Sequence, residues 1–458
     1  FFSNAFLMVI KIMMPLILVP IFLKTWGSES YSEWLVLFSY VAFLGLVDLG
    51  LGNYSTTHVH LRKSKGLSYK KTLKFITSIY INLVLAASIF FLILVYMTNQ
   101  VVSDLPIPLL ILLGFTNILM IVNGYINSIY RIYNEQHYAV YVSIAYNFFN
   151  YVGIYFLLQL ESNQILIASW MLLVVVCSIL IIGTLVKNKY NLSFNYLYSI
   201  RVYRTYISKS IFYVLYKLTA ILRVHFPVII LSIVNPVNII IYTLHRTVVN
   251  VQNQFLNLVH STLLQDLTRN SVTISSVVYV VFLFIGVVSI SISFITYLLY
   301  PYIFEVWIGE GFERFLDQDF LLLFLVYGFI NTLWYSNTIF LVAKNDHETL
   351  SKKILSYVML ANILSFPAYY YFGLYGYMLA LIILEVILGQ FWIFRFMLKK
   401  LNTGVTIFTK SYLIFLAYFL FLFLINAFKF QVMLEVLFVL FTLLVFTLIL
   451  YYSYRKKL

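Results

Sequence analysis

Long apolar runs dominate this sequence and limit what it can fold into. Fourteen of them reach about 18 residues, which is enough for a helix to cross the hydrocarbon core of a bilayer. Inside a bilayer the backbone must satisfy its own hydrogen bonds, so each run is expected to be an α-helix. The sequence therefore predicts an all-α, polytopic membrane protein. The predicted spans are residues 3–23, 33–54, 75–97, 107–130, 139–158, 164–186, 210–233, 237–265, 275–300, 320–342, 354–372, 376–398, 410–428 and 433–454.

The composition excludes an ordinary soluble domain. Of 458 residues, 62% are hydrophobic and 10% are charged, whereas charged residues make up about a quarter of a soluble domain. The net charge of +14 resembles that of a nucleic-acid binder, but cations in so apolar a chain belong mostly to loops, where they orient the protein in the membrane. No nucleic-acid partner is therefore expected. The single Cys177 argues against a disulfide framework or a thiolate metal site, and no metal or other cofactor is predicted.

The loops differ sharply in charge. Those that follow even-numbered spans carry most of the lysines and arginines, including the clusters at 62–74 and 187–209. Those that follow odd-numbered spans carry only Lys24, Arg314 and Lys429, together with several carboxylates. By the positive-inside rule, both termini and every even-numbered loop are expected on the cytoplasmic side.

A weak internal repeat indicates two lobes. Five residues around the end of span 4 recur around the end of span 10, 210 positions later. The pairs are Asn127 and Asn337, Ser128 and Thr338, Ile129 and Ile339, Tyr130 and Phe340, and His137 and His347. Because six spans return the chain to the same side of the membrane, two such copies would be parallel repeats around a central cationic cavity. The predicted parts are an N-lobe (1–186), a basic cytoplasmic linker (187–209), a C-lobe (210–398), and two extra C-terminal helices with a cytoplasmic tail (399–458).

Segment 239–265 is apolar enough to span a bilayer but carries a regular set of polar residues. The set, called here the α8 stripe after the eighth predicted span, is Arg246, Asn250, Asn253 and Asn257. Its steps of four, three and four residues return to one helix face within about 40°. An arginine near the bilayer centre costs roughly 3 kcal/mol, so we expect the stripe to line a polar cavity. The alternative is a set of hydrogen bonds that only hold helices together.

Three further cations lie inside predicted spans: Lys11 in span 1, and Lys217 and Arg223 in span 7. Spans 1, 2, 7 and 8 are the natural walls of a cleft between two lobes. We therefore expect these cations and Arg246 to bind an anion such as a phosphate or diphosphate, while the asparagines of the α8 stripe meet phosphate or sugar hydroxyls. The alternative for Lys11 and Lys217 is that their long side chains reach the membrane interface.

Three ionisable residues are candidates for coupling transport to H⁺ or Na⁺. They are Asp48 near the cytoplasmic end of span 2, Glu385 in span 12 and His225 in span 7. A buried carboxylate or imidazole can exchange a proton in the working pH range. The alternatives are structural: Asp48 pairs with a neighbouring cation, Glu385 bonds a nearby helix, and His225 is a satisfied core residue.

The sequence favours a transporter over an enzyme. It contains no phosphate-cradling glycine-rich loop, zinc-ligand spacing or nucleophile elbow. The carboxylates of loop 301–320 are the groups that a glycosidase uses, but a solvated, cation-poor outer loop explains them more simply. No catalytic residue is therefore predicted.

Three short motifs carry a resemblance to a known family. Residues 31–34 (Tyr-Ser-Glu-Trp) resemble a Y-G-x-W element, and residues 48–52 (Asp-Leu-Gly-Leu-Gly) resemble a D-L-G-L element. Residues 307–309 (Trp-Ile-Gly) with Phe312 resemble a W-L-G-x-x-F element after span 9. In order and position these motifs resemble those of the Wzx-type O-antigen and polysaccharide flippases, within the multidrug/oligosaccharidyl-lipid/polysaccharide exporter (MOP) superfamily. The resemblance covers spans 1 to 12.

The resemblance implies a flippase of the bacterial inner membrane. Its substrate would be an undecaprenyl-diphosphate-linked oligosaccharide, such as an O-antigen repeat unit of lipopolysaccharide, moved from the cytoplasmic to the periplasmic leaflet. The implied mechanism is alternating access, driven by an ion gradient as in an antiporter. The implied partners are the lipid-linked oligosaccharide and membrane lipid. A glycan polymerase and a chain-length regulator are further partners compatible with the resemblance.

Two departures from the family bear on the substrate. Ser32 replaces the usual glycine of the first motif, and fourteen spans exceed the twelve usual in this branch, as in lipid II flippases. A lipid II-like flippase and a multidrug antiporter of the same superfamily are therefore the alternatives, although an antiporter of organic cations would favour intramembrane carboxylates. A membrane-bound glycan polymerase or ligase is a more distant alternative, since it would need a large outer loop with catalytic Arg or His.

Overall fold

The computed structural model describes residues 2–64, 66–101, 106–133, 135–190, 200–269, 274–309, 312–335, 338–343, 347–401, 405–427, 435–443 and 445–446. Within these ranges every regular element is a helix. This confirms the predicted all-α class. Of the predicted span 433–454, residues 435–443 and 445–446 are helical and the others lie outside the described residues. Residues 191–199 of the predicted linker also lie outside them.

The helices follow one another with short connections. Their bounds are α1 (Phe2–Ala42), α2 (Leu51–Ser64), α3 (Lys70–Val101), α4 (Ile107–Ile132), α5 (Gln136–Gln159), α6 (Gln164–Tyr190), α7 (Ile200–Val234), α8 (Pro236–Arg269), α9 (Ile274–Ile308), α10 (Gln318–Tyr335), α11 (Thr338–Ala343), α12 (His347–Leu384), α13 (Arg395–Lys400) and α14 (Val405–Ala427). A 3₁₀ segment (Phe43–Asp48) connects α1 to α2, and a π-helical segment (Glu385–Phe394) connects α12 to α13.

Helices α1 and α12 each contain one predicted span and the start of the next, joined at a glycine. Gly27 has φ 74° and ψ 174°, and Gly373 has φ 65° and ψ −156°. This region of backbone space is essentially restricted to glycine. A Cβ at either position would meet no atom within 4 Å, so the conformation rather than the space requires glycine. The chain therefore turns between spans 1 and 2 and between spans 11 and 12 without a long loop.

The apolar helices make this a multi-pass membrane protein. In the described part of the chain, eight helical stretches are long and apolar enough to cross a bilayer, and the stretches Phe6–Asp48 and Glu348–Lys400 each cover most or all of two predicted spans. Helix α8 has 34 residues but does not belong to this apolar set, because polar side chains recur along it. Its recurring polar side chains make α8 poorly suited to contact lipid on every side.

By packing, the chain divides into two compact units, Phe1–Ile239 and Ile240–Leu458. In the first unit, α4 packs against α3 and α6, and α1 packs against α5 and α7. Two buried tyrosines lie at its centre: the rings of Tyr80 and Tyr125 stack at 4.2 Å. Tyr80 Oη donates to the Ile121 carbonyl at 2.5 Å, and Tyr125 Oη lies 2.8 Å from Thr77 Oγ1. Each buried hydroxyl therefore has a partner, as a core tyrosine requires.

The glycine of the Asp-Leu-Gly-Leu motif lets α7 approach the start of α2. Gly50 has φ 70°, and a Cβ there would lie 2.7 Å from the Ser210 carbonyl oxygen and 2.7 Å from Tyr213 Cβ. Helix α7 therefore packs with the first six spans, whereas the internal repeat assigns it to the second lobe. The lobe boundaries of the repeat stay a prediction.

The second unit is built from α8, α9, α10, α12, the π-helical segment and α14. Helix α10 packs against α9, α12 and the π-helical segment, and α14 packs against α9. The Phe282 ring on α9 stacks on Phe394 at 5.2 Å. Trp334 and Tyr377 are fully buried. The aromatic core of this unit thus fixes the π-helical segment in place.

One pair from the predicted repeat makes the same local contact in both units. Ser128 Oγ donates to the Tyr125 carbonyl at 2.6 Å. Thr338 Oγ1 donates to the Tyr335 carbonyl at 2.7 Å. Donor and acceptor are each displaced by 210 positions between the units, and both hydroxyl-bearing residues are buried. Other helical hydroxyls, such as those of Thr219 and Ser232, make the same contact, so the repeat stays a prediction, and Asn337 lies outside the described residues.

Candidate functional site

Two cations of the first unit lie close together. Lys11 on α1 is near enough to Arg131, in the last turn of α4, for the two positive charges to repel each other. Neither residue is buried. Lys11 is a predicted anion ligand, whereas the sequence pattern places Arg131 in a loop. Packing of α1 against α4 brings the second cation to the first, and no spacing in the sequence indicates this.

Asp48 and Lys217 form an ion pair in the first unit. Lys217 Nζ on α7 lies 3.1 Å from Asp48 Oδ1 at the end of the 3₁₀ segment. Asp48 is buried, and its Oδ1 also accepts the Gly50 backbone N–H at 3.2 Å. Two residues that the sequence assigns to separate roles thus form one ion pair. This is the structural alternative for Asp48, in which it pairs with a neighbouring cation. In this state an anion would have to displace the Asp48 carboxylate to bind Lys217.

Arg223 and His225 are both half-buried on α7. His225 Nδ1 lies 3.2 Å from Ser39 Oγ in the second half of α1, and its ring centroid is 6.1 Å from that of Phe38. These contacts correspond to the satisfied-core alternative for His225. Its role in ion coupling, and the convergence of Arg223 with Arg246 of the second unit, stay predictions.

The α8 stripe occupies the more accessible side of its helix. Arg246 and Asn253 are half-buried and Asn250 is exposed, whereas His245 and Gln252 are buried. The Arg246 guanidinium carbon lies 5.8 Å from the centroid of the Tyr242 ring, a cation–π distance. The Asn257 side chain lies outside the described residues.

The packed side of α8 is anchored by polar residues that the sequence pattern does not single out. Gln252 Nε2 donates to Ser289 Oγ on α9. Ser293 Oγ, one turn further along α9, donates to Gln252 Oε1 at 3.1 Å. These bonds satisfy both ends of a buried amide. They orient α8 so that the polar stripe faces away from α9.

Glu385 is a fully buried carboxylate in the second unit. Its Oε1 accepts hydrogen bonds from Asn331 Nδ2 at 2.6 Å and from Trp334 Nε1 at 2.5 Å. Its Oε2 accepts a hydrogen bond from Tyr357 Oη. Three neutral donors thus surround the carboxylate, and they tie α10 and α12 to the first residue of the π-helical segment. The structural alternative for Glu385 is therefore observed, and its coupling role stays a prediction.

An apolar cavity of about 420 Å³ lies in the second unit between α9, α10 and α14. Its walls include Phe294, Leu325, Phe329 and Phe415, and its few polar groups belong to Ser293, Tyr297 and Tyr412. Among the described residues, none of the predicted anion or ion ligands lines it. The volume falls in the range of about 300 to 1,000 Å³ typical of small-molecule sites. This chemistry suits a hydrocarbon chain rather than a charged group.

Comparisons with known proteins bear on the fold. No family model matches the chain, and no curated protein matches it either. Among solved structures, the lipid II flippase MurJ in an inward closed conformation is similar with a TM-score of 0.65 at 15% identity, covering 99% of this chain and 98% of that one. An inward-facing multidrug resistance MATE family transporter of the MOP superfamily has a TM-score of 0.65 at 14% identity, covering 86% of this chain and 95% of that one.

A third similar structure is a MOP superfamily transporter from Pyrococcus furiosus, described by the reverse polarity of its binding pocket. Its TM-score is 0.57 at 13% identity, with 88% of this chain and 95% of that chain covered. All three similar proteins are transporters or flippases rather than enzymes. Identities this low establish the architecture and leave the substrate open. The chain therefore has the fold of the MOP superfamily transporters.

Proposed function

We propose that the protein is a flippase that moves an undecaprenyl-diphosphate-linked oligosaccharide from the cytoplasmic to the periplasmic leaflet of a bacterial inner membrane by alternating access. An O-antigen or similar repeat unit is the proposed glycan. Both termini would be cytoplasmic, and a glycan polymerase and a chain-length regulator would receive the product. The similarity to a lipid II flippase over 99% of this chain supports a lipid-linked substrate.

The observation that carries this proposal is the positive charge of the membrane-spanning helices. Lys11 and Arg131 lie near each other in the first unit, and Arg223 and Arg246 add guanidinium groups on α7 and α8. Two of the described intramembrane carboxylates are occupied, since Asp48 holds Lys217 and Glu385 holds three neutral donors. Cations in a span are tolerated where they face water or a partner of opposite charge. A diphosphate supplies that charge and matches the forked donors of arginine.

The apolar cavity supports a lipid carrier. A polyprenyl chain is uncharged and flexible, so it gains most from an apolar wall of aromatic and leucine side chains, such as Phe294, Leu325 and Phe415. The wall contributed by α14 would give the extra C-terminal spans a role in holding the carrier lipid. A small hydrophilic substrate would have no use for such a cavity.

Leaflet-resolved labelling of lipid-linked saccharide in cells that lack the gene tests the proposal. Intermediates are expected to accumulate on the cytoplasmic face, and expression of this chain should restore their export. Arg246→Ala should abolish surface glycan while the protein stays inserted. Lys352→Ala is a matched control, because Lys352 is an exposed cation that pairs with Glu348 at 3.1 Å. Normal export by Arg246→Ala would remove Arg246 from the mechanism, and symmetric labelling in the deletion strain would reject flipping.

A multidrug antiporter is the second candidate, because the MATE family transporter matches with the same TM-score of 0.65. It would protect cells against organic cations, so a toxicity panel in cells that express the chain separates the two. Resistance to several lipophilic cations, with unchanged lipid-linked saccharide, would favour the antiporter. The predominance of intramembrane cations over exposed carboxylates leads us to expect no resistance.

A further inference from the structure

A buried histidine that the sequence pattern does not single out lies where three elements of the second unit meet. His245 on α8 is fully buried. Its Nδ1 lies 2.6 Å from the Ile241 carbonyl oxygen, one turn earlier on α8. Its Nε2 lies 2.8 Å from the Asp317 carbonyl oxygen, just before α10, and 2.9 Å from Tyr300 Oη on α9. Both ring nitrogens therefore have close hydrogen-bond partners.

The partners of the ring match two protonation states. A carbonyl oxygen only accepts, so it needs an N–H opposite it, and a neutral imidazole has a single N–H. With that proton on Nδ1, facing Ile241, Nε2 has a lone pair that accepts the Tyr300 hydroxyl proton. When a second proton binds Nε2, the new N–H donates to the Asp317 carbonyl, and both carbonyls are then satisfied. The same ring position thus serves the neutral and the charged form.

The charged surroundings of the ring are defined by α8, α9, α10 and α12. Arg246 is the next residue on α8, and its guanidinium lies against the Tyr242 ring. The Asp317 carboxylate caps α10 by accepting the Phe320 backbone N–H at 2.9 Å. It also accepts the Tyr375 hydroxyl of α12 at 2.6 Å.

Arg246 repels a protonated His245 ring, whereas Asp317 attracts it. The Asp317 carboxylate is close enough to act electrostatically on His245 and provides a negative counter-charge for an imidazolium. Tyr300 of α9 and the exposed Asp319 of α10 are further titratable groups near Asp317. An anion bound to Arg246 would reduce the repulsion between that residue and a charged His245.

We propose that His245 is a proton-binding site that ties α8 to Tyr300 of α9 when neutral and to the Asp317 carbonyl before α10 when protonated. Proton binding moves one hydrogen bond of α8 from α9 to the segment just before α10, which is a direct way to couple a proton to helix packing. The further step, that this proton drives substrate flipping, rests on the proposed function. The proton site itself does not depend on the proposed function.

Nitrogen NMR of the full chain in lipid bilayers, with ¹⁵N-labelled histidine, tests the proton site. The chain has 7 histidines, and the signal lost in His245→Gln identifies this one. If that variant does not insert, the signal is assigned in the wild type through its contact with the ¹³C-labelled carbonyl of Ile241. We expect an Nδ1–H tautomer at high pH and a doubly protonated ring at low pH. A ring that keeps one protonation state between pH 4 and 9 would overturn the proposal.

A tyrosine variant separates a proton switch from a merely structural histidine. Tyr300→Phe removes the donor that stabilises the neutral ring, so the proton affinity of His245 should rise by about tenfold. Tyr418→Phe is the matched control, because Tyr418 Oη bonds Ser291 Oγ at 2.8 Å in the same unit and does not contact His245. An unchanged titration in Tyr300→Phe, or an equal shift in Tyr418→Phe, would contradict the two-state arrangement.

Reconstituted protein with lipid-linked saccharide distinguishes failure of this inference from failure of the proposed function. If the wild type flips the lipid and His245→Gln loses the dependence on a proton gradient, both stand. If the wild type flips the lipid and His245→Gln keeps that dependence, the coupling role of His245 fails. If His245 titrates as expected but the wild type moves no lipid, the proton site stands and the flippase proposal fails.

Discussion

In the first unit a buried carboxylate is neutralised by an opposite charge, whereas in the second unit it is held by neutral donors. Asp48 binds the Lys217 ammonium at 3.1 Å, and Glu385 accepts hydrogen bonds from an asparagine, a tryptophan and a tyrosine. An ion pair can exchange one partner for another charged group, such as a phosphate. A carboxylate surrounded by neutral donors has no such competitor, because removing it leaves each donor unsatisfied. Asp48 can therefore change its partner, whereas Glu385 is a fixed part of the packed core.

The largest expected effect comes from removing the fixed carboxylate. Glu385→Leu leaves the donors of Asn331, Trp334 and Tyr357 without their acceptor, so we expect the free energy of unfolding to fall by about 3 kcal/mol. Thermal unfolding of purified protein in detergent measures this change. Glu385→Gln keeps an acceptor oxygen and should lose less. Glu348→Leu is the control for an exposed glutamate and should leave the melting temperature unchanged; an equal loss in both would contradict the assigned role.

A second variant tests the close approach of α7 in the first unit. In Gly50→Ala the new Cβ would lie 2.7 Å from the Ser210 carbonyl oxygen, in addition to the strain of a positive φ. We expect a loss of about 2 kcal/mol in the free energy of unfolding. Gly27→Ala has a similar φ but open space around it, so the difference between the two melting temperatures isolates the clash. Equal losses would show that α7 moves away at no cost.

A double-mutant cycle tests whether the ion pair is exchangeable. Lys217 is only partly buried, so Asp48→Asn and Lys217→Met should each cost about 1 to 2 kcal/mol of stability. The double variant should recover part of that loss, because neither charge is then left alone. Its transport of lipid-linked saccharide should stay impaired, since the anion ligand is gone. Full transport by the double variant would assign the pair a structural role only.

The smallest expected effect concerns the aromatic partner of Arg246. Tyr242→Leu removes a cation–π contact worth about 0.5 to 1 kcal/mol. The apparent affinity for lipid-linked saccharide should therefore fall by about twofold to fivefold, while the amount of inserted protein stays the same. Tyr335→Leu is a control on α10, because Tyr335 packs against Trp334. A similar loss in this control would show that the effect is not specific to Arg246.

The spans and the position of the α8 stripe follow from sequence because both depend on local periodicity. The contact partners of the ionisable side chains do not follow from sequence. The sequence makes His225 and Glu385 candidates for ion coupling, yet in the structure each contacts a polar side chain of a neighbouring helix. The sequence pattern does not single out His245, one position from Arg246, because its partners Tyr300 and Asp317 lie on other elements far along the chain. A single helix pattern contains no information about such neighbours.

By itself, the sequence determines that this chain is a helical membrane protein with polar groups along α8. The reason is that bilayer thickness sets a minimum length for each apolar run, and a helix satisfies its backbone hydrogen bonds within that run. Only the tertiary structure decides which cation meets which anion. Lys217 and Asp48 are separated by 169 positions, and their contact depends on the packing of α7 against the 3₁₀ segment, where Gly50 permits close approach. Charge pairing in this protein is thus a property of helix packing rather than of residue spacing.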